Sequence, residues 1–341
     1  MAECVYAALD AALRERRPVL LRTTLGQRRG SVREDLVREV LQGELIRRDE
    51  KGVVSPTAAA WGQGLVLEEP VLPPERLLLL GGGHVALPVC EFAARCGFAV
   101  TVVDDRPAFA NRERFPQAAR VLCEAFGPAI ADFSPGPYDY VVIVTRGHAH
   151  DAECLRAVLE GPFPAYVGMI GSRRRVKAQL ALLEEEGFDP ERLNRVCTPI
   201  GLDIGSVTPE EIAVSILAQL ISYRRLPRYA APGRWVNGSD LEPEMIHYLA
   251  SHREGKAIAT VVSAKGSTPR KAGAKMAVSP AGLVTGSIGG GCAESAVLHR
   301  ARALIGTGRF EILTVDMTGA VAEEDGMVCG GVMEVLIEDD I

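Results

Sequence analysis

The chain has 341 residues and a formal net charge of −6, with 47% hydrophobic and 24% charged residues. The length allows two or three domains with their own cores, and the composition is ordinary for a globular protein. The negative charge disfavours a broad nucleic-acid-binding face, and no apolar run approaches the roughly 18 residues of a spanning helix. Met1 to Asp10 lacks the basic start and apolar stretch of a signal peptide, so we expect a cytoplasmic protein without membrane contact.

The eight cysteines are scattered along the chain and form no CxxC pair. Their spacing therefore indicates neither a zinc knuckle nor a thioredoxin-type motif. We expect a reduced protein in which most cysteines fill core positions.

Residues 1–70 are predicted to form a short α+β piece. Val5 to Leu13 has a helical pattern, and Pro18 to Arg22 is typical of a strand. Asp35 to Leu41 is predicted as a second helix, and Gly64 to Leu67 as a short strand.

Residues 71–225 alternate strand and helix patterns, which predicts an α/β fold with a Rossmann-like parallel sheet. The domain opens with a strand, the turn Gly81 to Ala86 (GGGHVA), a helix and a second strand that ends on Asp104. In a dinucleotide site, Gly81 allows the tight turn, and Gly83 and His84 lie where the backbone approaches a pyrophosphate. Asp104 stands where an acid accepts hydrogen bonds from ribose hydroxyls. The alternative is a nucleotide-type fold that holds no nucleotide.

Polar residues follow two later strands of this domain. Arg146, His148, His150 and Asp151 follow the strand pattern of Asp139 to Thr145, at the edge where α/β sheets bind ligands. We interpret them as a hydrogen-bonded loop with His148 as an acid or base, and a metal site is the alternative. Ser172 and Arg173, which begin the helix after the next strand, are a second predicted phosphate contact.

Residues 226–239 are predicted to be a linker, and residues 240–341 form a third segment. Its most unusual stretch is Gly286 to Glu294 (GSIGGGCAE), in which three glycines, Gly289, Gly290 and Gly291, lead to Cys292 at a helix start. A thiol at a helix N-terminus has a lowered pKa, and such a loop also suits an anion. A tight turn in which a small cysteine fits a crowded place is the alternative.

Met327 to Gly331 reverses the pattern, with Cys329 followed by two glycines. If the two turns meet, Cys292 and Cys329 form a pair that suits sulfur transfer or a soft metal. A structural disulfide and two unrelated core cysteines remain alternatives.

The loop from Lys265 to Lys275 (KGSTPRKAGAK) is basic and broken by glycines. It carries side chains that could clamp a phosphate, or that could simply be solvated. These side chains are those of Ser267, Thr268, Arg270, Lys271 and Lys275.

An internal similarity links the two ends of the chain. Cys4 to Thr24 resembles Met245 to Ser263 in pattern, and both parts close on an acidic strand, at Leu65 to Glu69 and Val335 to Asp339. We interpret residues 1–70 as a reduced copy of the C-terminal module that kept its structural role and lost its chemistry; chance similarity is the alternative.

The motifs together resemble a known family. Ala259 to Arg270, GSIGGGCAE and CGG resemble the N-terminal domain of the XdhC/CoxI family. Pro70 to Ser222 resembles its Rossmann-like second domain through GGGHVA, TRGHAHD, GMIGSRRR and GLDIGSVTPEEIAVSI. The order of the two domains here is the reverse of the usual one in that family.

The resemblance implies an accessory factor for xanthine dehydrogenase and related molybdenum hydroxylases. Such a factor binds molybdenum cofactor (molybdopterin), assists its sulfuration and passes it to the apo-hydroxylase, with a cysteine desulfurase as a further partner. Helix N-termini, Arg146, Arg173, Arg270 and Glu294 would then lie around the cofactor, and Cys292 with Cys329 would face its metal or sulfur. We also expect a homodimer whose chains exchange modules.

Two other functions compete with this one. The first is an NAD(P)-dependent oxidoreductase that uses Gly81, Gly83 and Asp104, with His148 as acid or base. The second is a scaffold that docks a sulfur donor to its target. The chain is too short to be a molybdenum hydroxylase itself and lacks the clustered cysteines of an iron–sulfur domain.

Overall fold

The structure, a computed structural model, describes residues 5–25, 31–32, 36–42, 53–61, 64–226, 236–237, 239–252, 254–317 and 330–340. The chain divides into two compact units. The terminal unit comprises Met1–Pro73 and Asn237–Ile341, and the central unit comprises Pro74–Val236. The central unit is therefore inserted, along the chain, between the two parts of the terminal unit.

In its described residues, the first part of the terminal unit has one helix, a four-stranded antiparallel sheet in the order β3-β1-β6-β5, and two short strands that pair elsewhere. Its elements are α1 (Val5–Arg14), β1 (Val19–Leu25), β2 (Ser31–Val32), β3 (Leu36–Gln42), β4 (Val53–Val54), β5 (Thr57–Trp61) and β6 (Gly64–Val71).

The helix predicted over Asp35 to Leu41 is wrong, because these residues form the strand β3. Along its whole length β3 pairs with β1, from Leu25↔Leu36 to Val19↔Gln42. In a stretch this short, the apolar residues fit the periodicity of a helix or of a strand, and pairing with a neighbouring strand decides which one forms.

The central unit is a five-stranded parallel sheet with helices, which confirms the Rossmann-like α/β prediction. Its strands are β7 (Arg76–Leu80), β8 (Ala99–Asp104), β9 (Arg120–Cys123), β10 (Asp139–Ile143) and β11 (Tyr166–Met169). Its helices are α2 (Ala86–Arg95), α3 (Phe126–Phe133), α4 (His148–Glu160), α5 (Arg173–Glu185), α6 (Pro190–Asn194) and α7 (Pro209–Arg225). The spatial order is β11-β10-β7-β8-β9, so the chain reverses direction across the sheet between β7 and β10. Such a switch point opens a crevice at the carboxyl edge of the sheet, and the glycine turn follows β7 at this place.

Local signals position the helices around this sheet. Helix α7 begins with a capping box, in which Glu211 N–H donates to Thr208 Oγ1 at 3.3 Å and Thr208 N–H donates to Glu211 Oε2 at 3.0 Å. Helix α4 begins earlier than its sequence pattern suggests, so His148, His150 and Asp151 lie in its first turn rather than in a preceding loop.

The second part of the terminal unit is a mixed α and β module. Its elements are β12 (Val236–Asn237), α8 (Pro243–Ser251), β13 (Lys256–Gly266), β14 (Lys275–Val278), β15 (Val284–Gly286), α9 (Gly291–Leu304), β16 (Arg309–Asp316) and β17 (Gly331–Asp340). The antiparallel sheet has the order β15-β14-β13-β17-β16-β2. Helix α9 packs on one face of this sheet through Val297 and Ala301, which join a core with Ala259, Met276 and Ile337.

Several described cysteines fill core positions. Cys90 and Cys154 are buried within the central unit, and burial raises the pKa of the Cys90 thiol to about 11. Burial also raises the pKa of the Cys154 thiol well above its usual range. Both thiols therefore stay protonated and unreactive at neutral pH. Among the described helices, none combines the length and apolar character required to cross a bilayer.

Candidate functional site

The glycine turn after β7 has two packed positions and one open position. Gly81 has φ +112°, and a Cβ there would lie 2.4 Å from the Val144 carbonyl oxygen. A Cβ on Gly82 would lie 2.2 Å from the Phe109 carbonyl oxygen, whereas a Cβ on Gly83 would meet nothing within 4 Å. The first two glycines are therefore required by close backbone packing. The third leaves space beside the N-terminus of α2, where N–H groups lack partners within the helix.

Asp104 is enclosed rather than open to a ligand. Its Oδ2 accepts a hydrogen bond from Gly82 N–H at 2.8 Å and another from Arg106 Nη2 at 2.9 Å. Its Oδ1 accepts hydrogen bonds from Arg106 N–H at 3.1 Å and Arg106 Nε at 2.8 Å. The carboxylate has about four acceptor positions, and these four bonds use them. Burial opposes ionisation, but the hydrogen bonds from Arg106 and Gly82 together hold the pKa of Asp104 below its usual value.

An arginine-rich loop that sequence reasoning missed lies against the glycine turn. Arg114 Nε donates to the Gly82 carbonyl oxygen at 3.0 Å. The guanidinium groups of Arg106 and Arg114 lie 3.7 and 5.2 Å from the centre of the Phe109 ring. Arg114 Nη2 is buried without a hydrogen-bond partner in the described part of the chain. The stretch RPAFANRERF directly after the acid was the available signal. Two arginines, Arg106 and Arg114, therefore pack around the glycine turn.

Arg146 pairs with Asp105 across the end of the sheet. Its guanidinium donates to both carboxylate oxygens of Asp105, with Nη2 to Oδ2 at 2.8 Å. The hydrogen bonds from Arg146 lower the pKa of Asp105 to about 2. Asp105 follows β8 and Arg146 follows β10, and these strands flank β7 on its two sides. The ion pair therefore spans the strand end from which the glycine turn begins.

His148 lies beside a buried acid at the start of α4. Its Nδ1 is 3.8 Å from Asp151 Oδ2, and the His148 side chain is 55% exposed. Asp151 Oδ1 accepts a hydrogen bond from Thr145 Oγ1 at 2.6 Å. Burial raises the pKa of Asp151, and the Thr145 hydrogen bond opposes that shift. An exposed imidazole backed by a buried carboxylate is an arrangement that can accept and donate a proton.

The remaining predicted phosphate contact lies at the start of α5. Ser172 is the N-cap residue of this helix, and its side chain makes no capping hydrogen bond. Arg173 is the first residue of the helix, and its side chain is outside the described structure.

In the terminal unit, the structure brings three predicted loops together. A Cβ on Gly289 would lie 2.3 Å from Pro269 Cγ, and a Cβ on Gly331 would lie 2.6 Å from Thr268 Cγ2. The Ser267–Thr268–Pro269 turn therefore packs against both the glycine run before α9 and the start of β17. A side chain at Gly289 or Gly331 would collide with this turn, which explains why both positions are glycine, while the role of these residues in a binding site stays a prediction.

The start of α9 has a specific backbone conformation. Gly289, Gly290 and Gly291 have φ values of +137°, +72° and +63°, which favour glycine. Glu294 Oε1 accepts a hydrogen bond from Ile288 N–H at 3.0 Å, so this carboxylate holds the turn. Cys292 lies in the first helical turn, at the predicted helix start, although its side chain is outside the described structure. Cys329 lies outside the described residues, so the predicted contact between the two cysteines stays a prediction.

Two cations of the basic loop, Arg270 and Lys275, are already paired with carboxylates. Arg270 Nε donates to Asp240 Oδ2 at 2.6 Å, and Arg270 Nη2 donates to Glu242 Oε1 at 2.8 Å. Lys275 Nζ is buried and lies 2.9 Å from Glu69 Oε1. In this arrangement Arg270 and Lys275 hold the module together, and a phosphate would meet backbone N–H groups and the Ser267 and Thr268 hydroxyls instead.

A conventional metal cluster is not formed by the described side chains. In the ranges given above, no group of three or more His, Cys, Asp or Glu residues converges on one point. The metal site predicted at Cys292 and Cys329 rests on two side chains that the structure does not describe, so it stays a prediction.

Fold and site together define an α/β protein with a Rossmann-type unit and a separate glycine–cysteine module. The XdhC Rossmann domain model matches residues 77–220, and the XdhC and CoxI family model matches residues 249–316. Together the two matches cover well over half of the chain. The chain belongs to the XdhC/CoxI family, and its Rossmann domain precedes its XdhC and CoxI domain in the sequence.

Two curated proteins are similar to part of the chain. The uncharacterized protein YqeB of Escherichia coli K12 is 37% identical over 150 residues, which is 44% of this chain and 27% of YqeB. A probable xanthine dehydrogenase subunit from Bacillus subtilis 168 is 33% identical over 153 residues, which is 45% of this chain and 44% of that protein. The chain thus spans less than half the length of either relative.

A solved structure, a xanthine dehydrogenase from Bacillus halodurans, is 25% identical to the chain with a TM-score of 0.48. The match covers 62% of this chain and 64% of that one.

Proposed function

We propose that the protein is an accessory factor for a xanthine dehydrogenase-type molybdenum hydroxylase. In this role it binds molybdenum cofactor, assists its sulfuration and transfers it to the apo-enzyme. Two findings support the role: both domains match models of the XdhC/CoxI family, and the relative in Bacillus subtilis is named as a probable part of a xanthine dehydrogenase.

The observation that carries the proposal is the convergence of loops before α9. Pro269 packs against Gly289 and Thr268 packs against Gly331, and Cys292 belongs to the first turn of the helix that follows the glycine run. This packing supports a site that uses the hydroxyls of the turn, the helix N-terminus and Cys292. Cys329 stands two positions before the first residue of β17 in the sequence, and its participation beside Cys292 is part of the proposal.

The chemistry of these groups fits the cofactor. Molybdopterin carries a phosphate, which backbone N–H groups at a helix start and the hydroxyls of Ser267 and Thr268 can bind. A cysteine at the same helix start is stabilised as a thiolate, the form that binds a soft metal or carries sulfur. The bound cofactor would supply the molybdenum chemistry, while this chain's residues hold the phosphate and present the thiolate.

The competing function, an NAD(P)-dependent oxidoreductase, is less well supported by the central unit. Gly83 leaves room for a phosphate, and His148 with Asp151 could move a proton. However, a bound dinucleotide would find the acceptor positions of Asp104 already used by Arg106 and Gly82. The adenosine ribose would therefore lose the hydrogen bonds that usually select it.

The test measures the retention of molybdenum. The purified chain is incubated with molybdenum cofactor, freed of unbound material and analysed for bound metal, and it is then mixed with a xanthine dehydrogenase-type apo-enzyme. We expect retained molybdenum and restored hydroxylase activity, both lost in Cys292→Ser. Cys123→Ser is the matched control, because Cys123 is an exposed cysteine of the central unit.

A parallel titration with NAD(H) and NADP(H) separates the two functions. Micromolar nucleotide binding without molybdenum retention would replace the accessory role with the oxidoreductase. If the protein neither binds a nucleotide nor retains molybdenum, the remaining function is the scaffold that docks a sulfur donor to its target. Equal behaviour of the Cys292 and Cys123 variants would remove Cys292 from the site.

A further inference from the structure

The two parts of the terminal unit have the same scaffold. In each part a helix is followed, after four residues, by the central strand of a sheet: α1 leads to β1 and α8 leads to β13. The strand orders β3-β1-β6-β5 and β14-β13-β17-β16 then correspond one to one. In both sheets the last strand in sequence pairs antiparallel with the first, as β6 does with β1 and β17 does with β13.

The strand registers place chemically matching residues at corresponding positions. Thr23 faces Arg38 on β3, and Thr260 faces Lys275 on β14. Two residues before each threonine, Leu21 faces Glu69 on β6 and Ile258 faces Glu338 on β17. Each sheet therefore carries one threonine, one cation and one glutamate at the same places, and both threonines and both glutamates are buried.

The buried charges pair across the two sheets and not within them. Lys275 of the second sheet lies 2.9 Å from Glu69 of the first, and these side chains are 1% and 2% exposed. Reciprocally, Arg38 of the first sheet bonds to Glu338 of the second, and these side chains are 10% and 4% exposed. Burial would lower the pKa of Arg38, but the Glu338 carboxylate raises it above its usual value. Reciprocal contact, in which i meets j′ and j meets i′, is the signature of a twofold interface.

Corresponding residues also meet near the axis between the two parts. The common helix–strand spacing makes Asp10 of α1 the counterpart of His247 of α8, and His247 Nδ1 lies 3.3 Å from Asp10 Oδ1. Two shared apolar clusters contain further counterparts, namely Leu9 with Ile246, Ala12 with Leu249 and Leu21 with Ile258 in one, and Leu25 with Val262 and Leu67 with Leu336 in the other.

The faces that point away from the contact between the two sheets differ in polarity. The second sheet has a helix, α9, on this face, and the first sheet has no corresponding helix in its described residues. In the second part, Ala259, Met276 and Ile337 lie under α9. Their counterparts by register are Arg22, Glu39 and Glu68, and Arg22 pairs with Glu68. Because no helix stands between β3 and β5 in the described residues of the first part, this face is charged where the other is apolar.

We infer that the face of the C-terminal module formed by α8, β13, β14 and β17 is a twofold pairing surface whose partner is a second copy of the same module. In this protein, residues 5–71 fill the place of that copy within the same chain. The terminal unit is then an internal pseudo-dimer with a single glycine–cysteine helix, and no exchange of modules between chains is needed to complete it.

The test cuts the connection between the two parts in the full-length chain. A protease recognition sequence is placed between Leu226 and Val236, and the cleaved protein is analysed by size-exclusion chromatography with light scattering. We expect the two fragments to remain together in one-to-one ratio. Glu69→Lys leaves two cations in one buried place, so it should weaken the association of the fragments about a hundredfold or more. Glu69→Lys with Lys275→Glu should restore most of it.

Glu68→Lys is the matched control. Glu68 is next to Glu69 in the sequence, but its carboxylate pairs with Arg22 of the same sheet, on the opposite face. This variant should leave the fragments associated. The inference would be overturned if the two fragments separated equally in Glu68→Lys and Glu69→Lys, or if the double variant did not restore their association.

A second measurement identifies which chain supplies the partner. Asp10→Cys and His247→Cys are combined in the uncut protein and joined with a short bismaleimide, and each single variant serves as control. An internal pseudo-dimer gives a cross-linked single chain. A covalent dimer of two chains would show that the second copy comes from another chain and would overturn the assignment.

Discussion

The carboxylate of Asp104 accepts a hydrogen bond from the Gly82 N–H at 2.8 Å, which ties the end of β8 to the glycine turn after β7. Arg106 fills the remaining acceptor positions of the same carboxylate. An acid at this place in a Rossmann-type unit can bind a ribose or hold the turn, and here its hydrogen bonds hold the turn.

Replacing Asp104 should therefore damage the fold of the central unit. Asp104→Asn keeps an acceptor for Gly82 but removes the charged partner of Arg106, so we expect a loss of about 1.5–3 kcal/mol in the free energy of unfolding. Urea unfolding followed by circular dichroism measures it. Asp105→Asn is the control, because its ion pair with Arg146 is exposed and should contribute far less. Equal effects of the two substitutions would contradict this role for Asp104.

The same carboxylate predicts a dependence of stability on pH. The pKa of Asp104 is lowered in the folded state, so its contribution is present above the unfolded-state pKa of about 3.9. The contribution is lost as the pH falls through the lower folded-state pKa. The stability gap between the wild-type protein and Asp104→Asn should therefore be full at pH 7 and should shrink below pH 4. A gap that stays constant down to pH 2 would show that the charge is not involved.

Gly82 and Gly83 of the turn should respond differently to replacement by alanine. Gly82→Ala places its Cβ 2.2 Å from the Phe109 carbonyl oxygen, so the loop over the turn must move, at a cost of about 1–3 kcal/mol. Gly83→Ala meets nothing within 4 Å and should leave the melting temperature unchanged. Differential scanning calorimetry of the two variants makes the comparison. If Gly83→Ala alone loses a phosphate-bearing ligand, the open position is a binding position and not a packing position.

The proton-transfer arrangement at α4 can be tested through the pKa of Asp151. Burial raises this pKa, and the hydrogen bond from Thr145 is the largest opposing contribution. Thr145→Val should therefore raise the pKa further, and His148→Gln should raise it less. Carboxyl carbon chemical shifts followed by NMR against pH give both values. A lower pKa in Thr145→Val would mean that the hydroxyl does not stabilise the ionised form.

Strong local patterns allowed much of the fold to be predicted from the sequence. The run from Leu77 to Asp105 has apolar strands, a glycine turn and a helix in immediate succession, and Thr208 with Glu211 marks a helix start. These signals are local, so tertiary contacts only reinforce them. The strand β3 was mistaken for a helix because its partner strand, and not its own residues, determines its conformation.

The roles of the charged residues were harder to predict. Arg270 is paired with Asp240, 30 positions away, and Lys275 with Glu69, 206 positions away. A cation looks the same in a sequence whether it awaits a phosphate or already has a buried carboxylate as partner. Asp104 stands at the expected position, but nothing local shows that Arg106 folds back onto it.

The glycine run before α9 gives the sharpest test of the candidate site. Gly289→Ala must accommodate a φ of +137° and a Cβ 2.3 Å from Pro269 Cγ, so we expect a cost of about 3 kcal/mol or more and separation of the two loops. Gly290→Ala meets open space, but it must adopt a φ of +72° with a ψ of −179°, a conformation found essentially only for glycine, at a cost of about 1–3 kcal/mol. Thermal unfolding and retention of molybdenum are measured for both.

If the packed loops form the cofactor site, Gly289→Ala should lose retained molybdenum at temperatures where the protein is still folded. Gly290→Ala should keep most of it, because its loops remain in contact. Loss of molybdenum in Gly290→Ala alone would place the cofactor directly over Gly290, where the open space lies, and would make the contact between Pro269 and Gly289 purely structural.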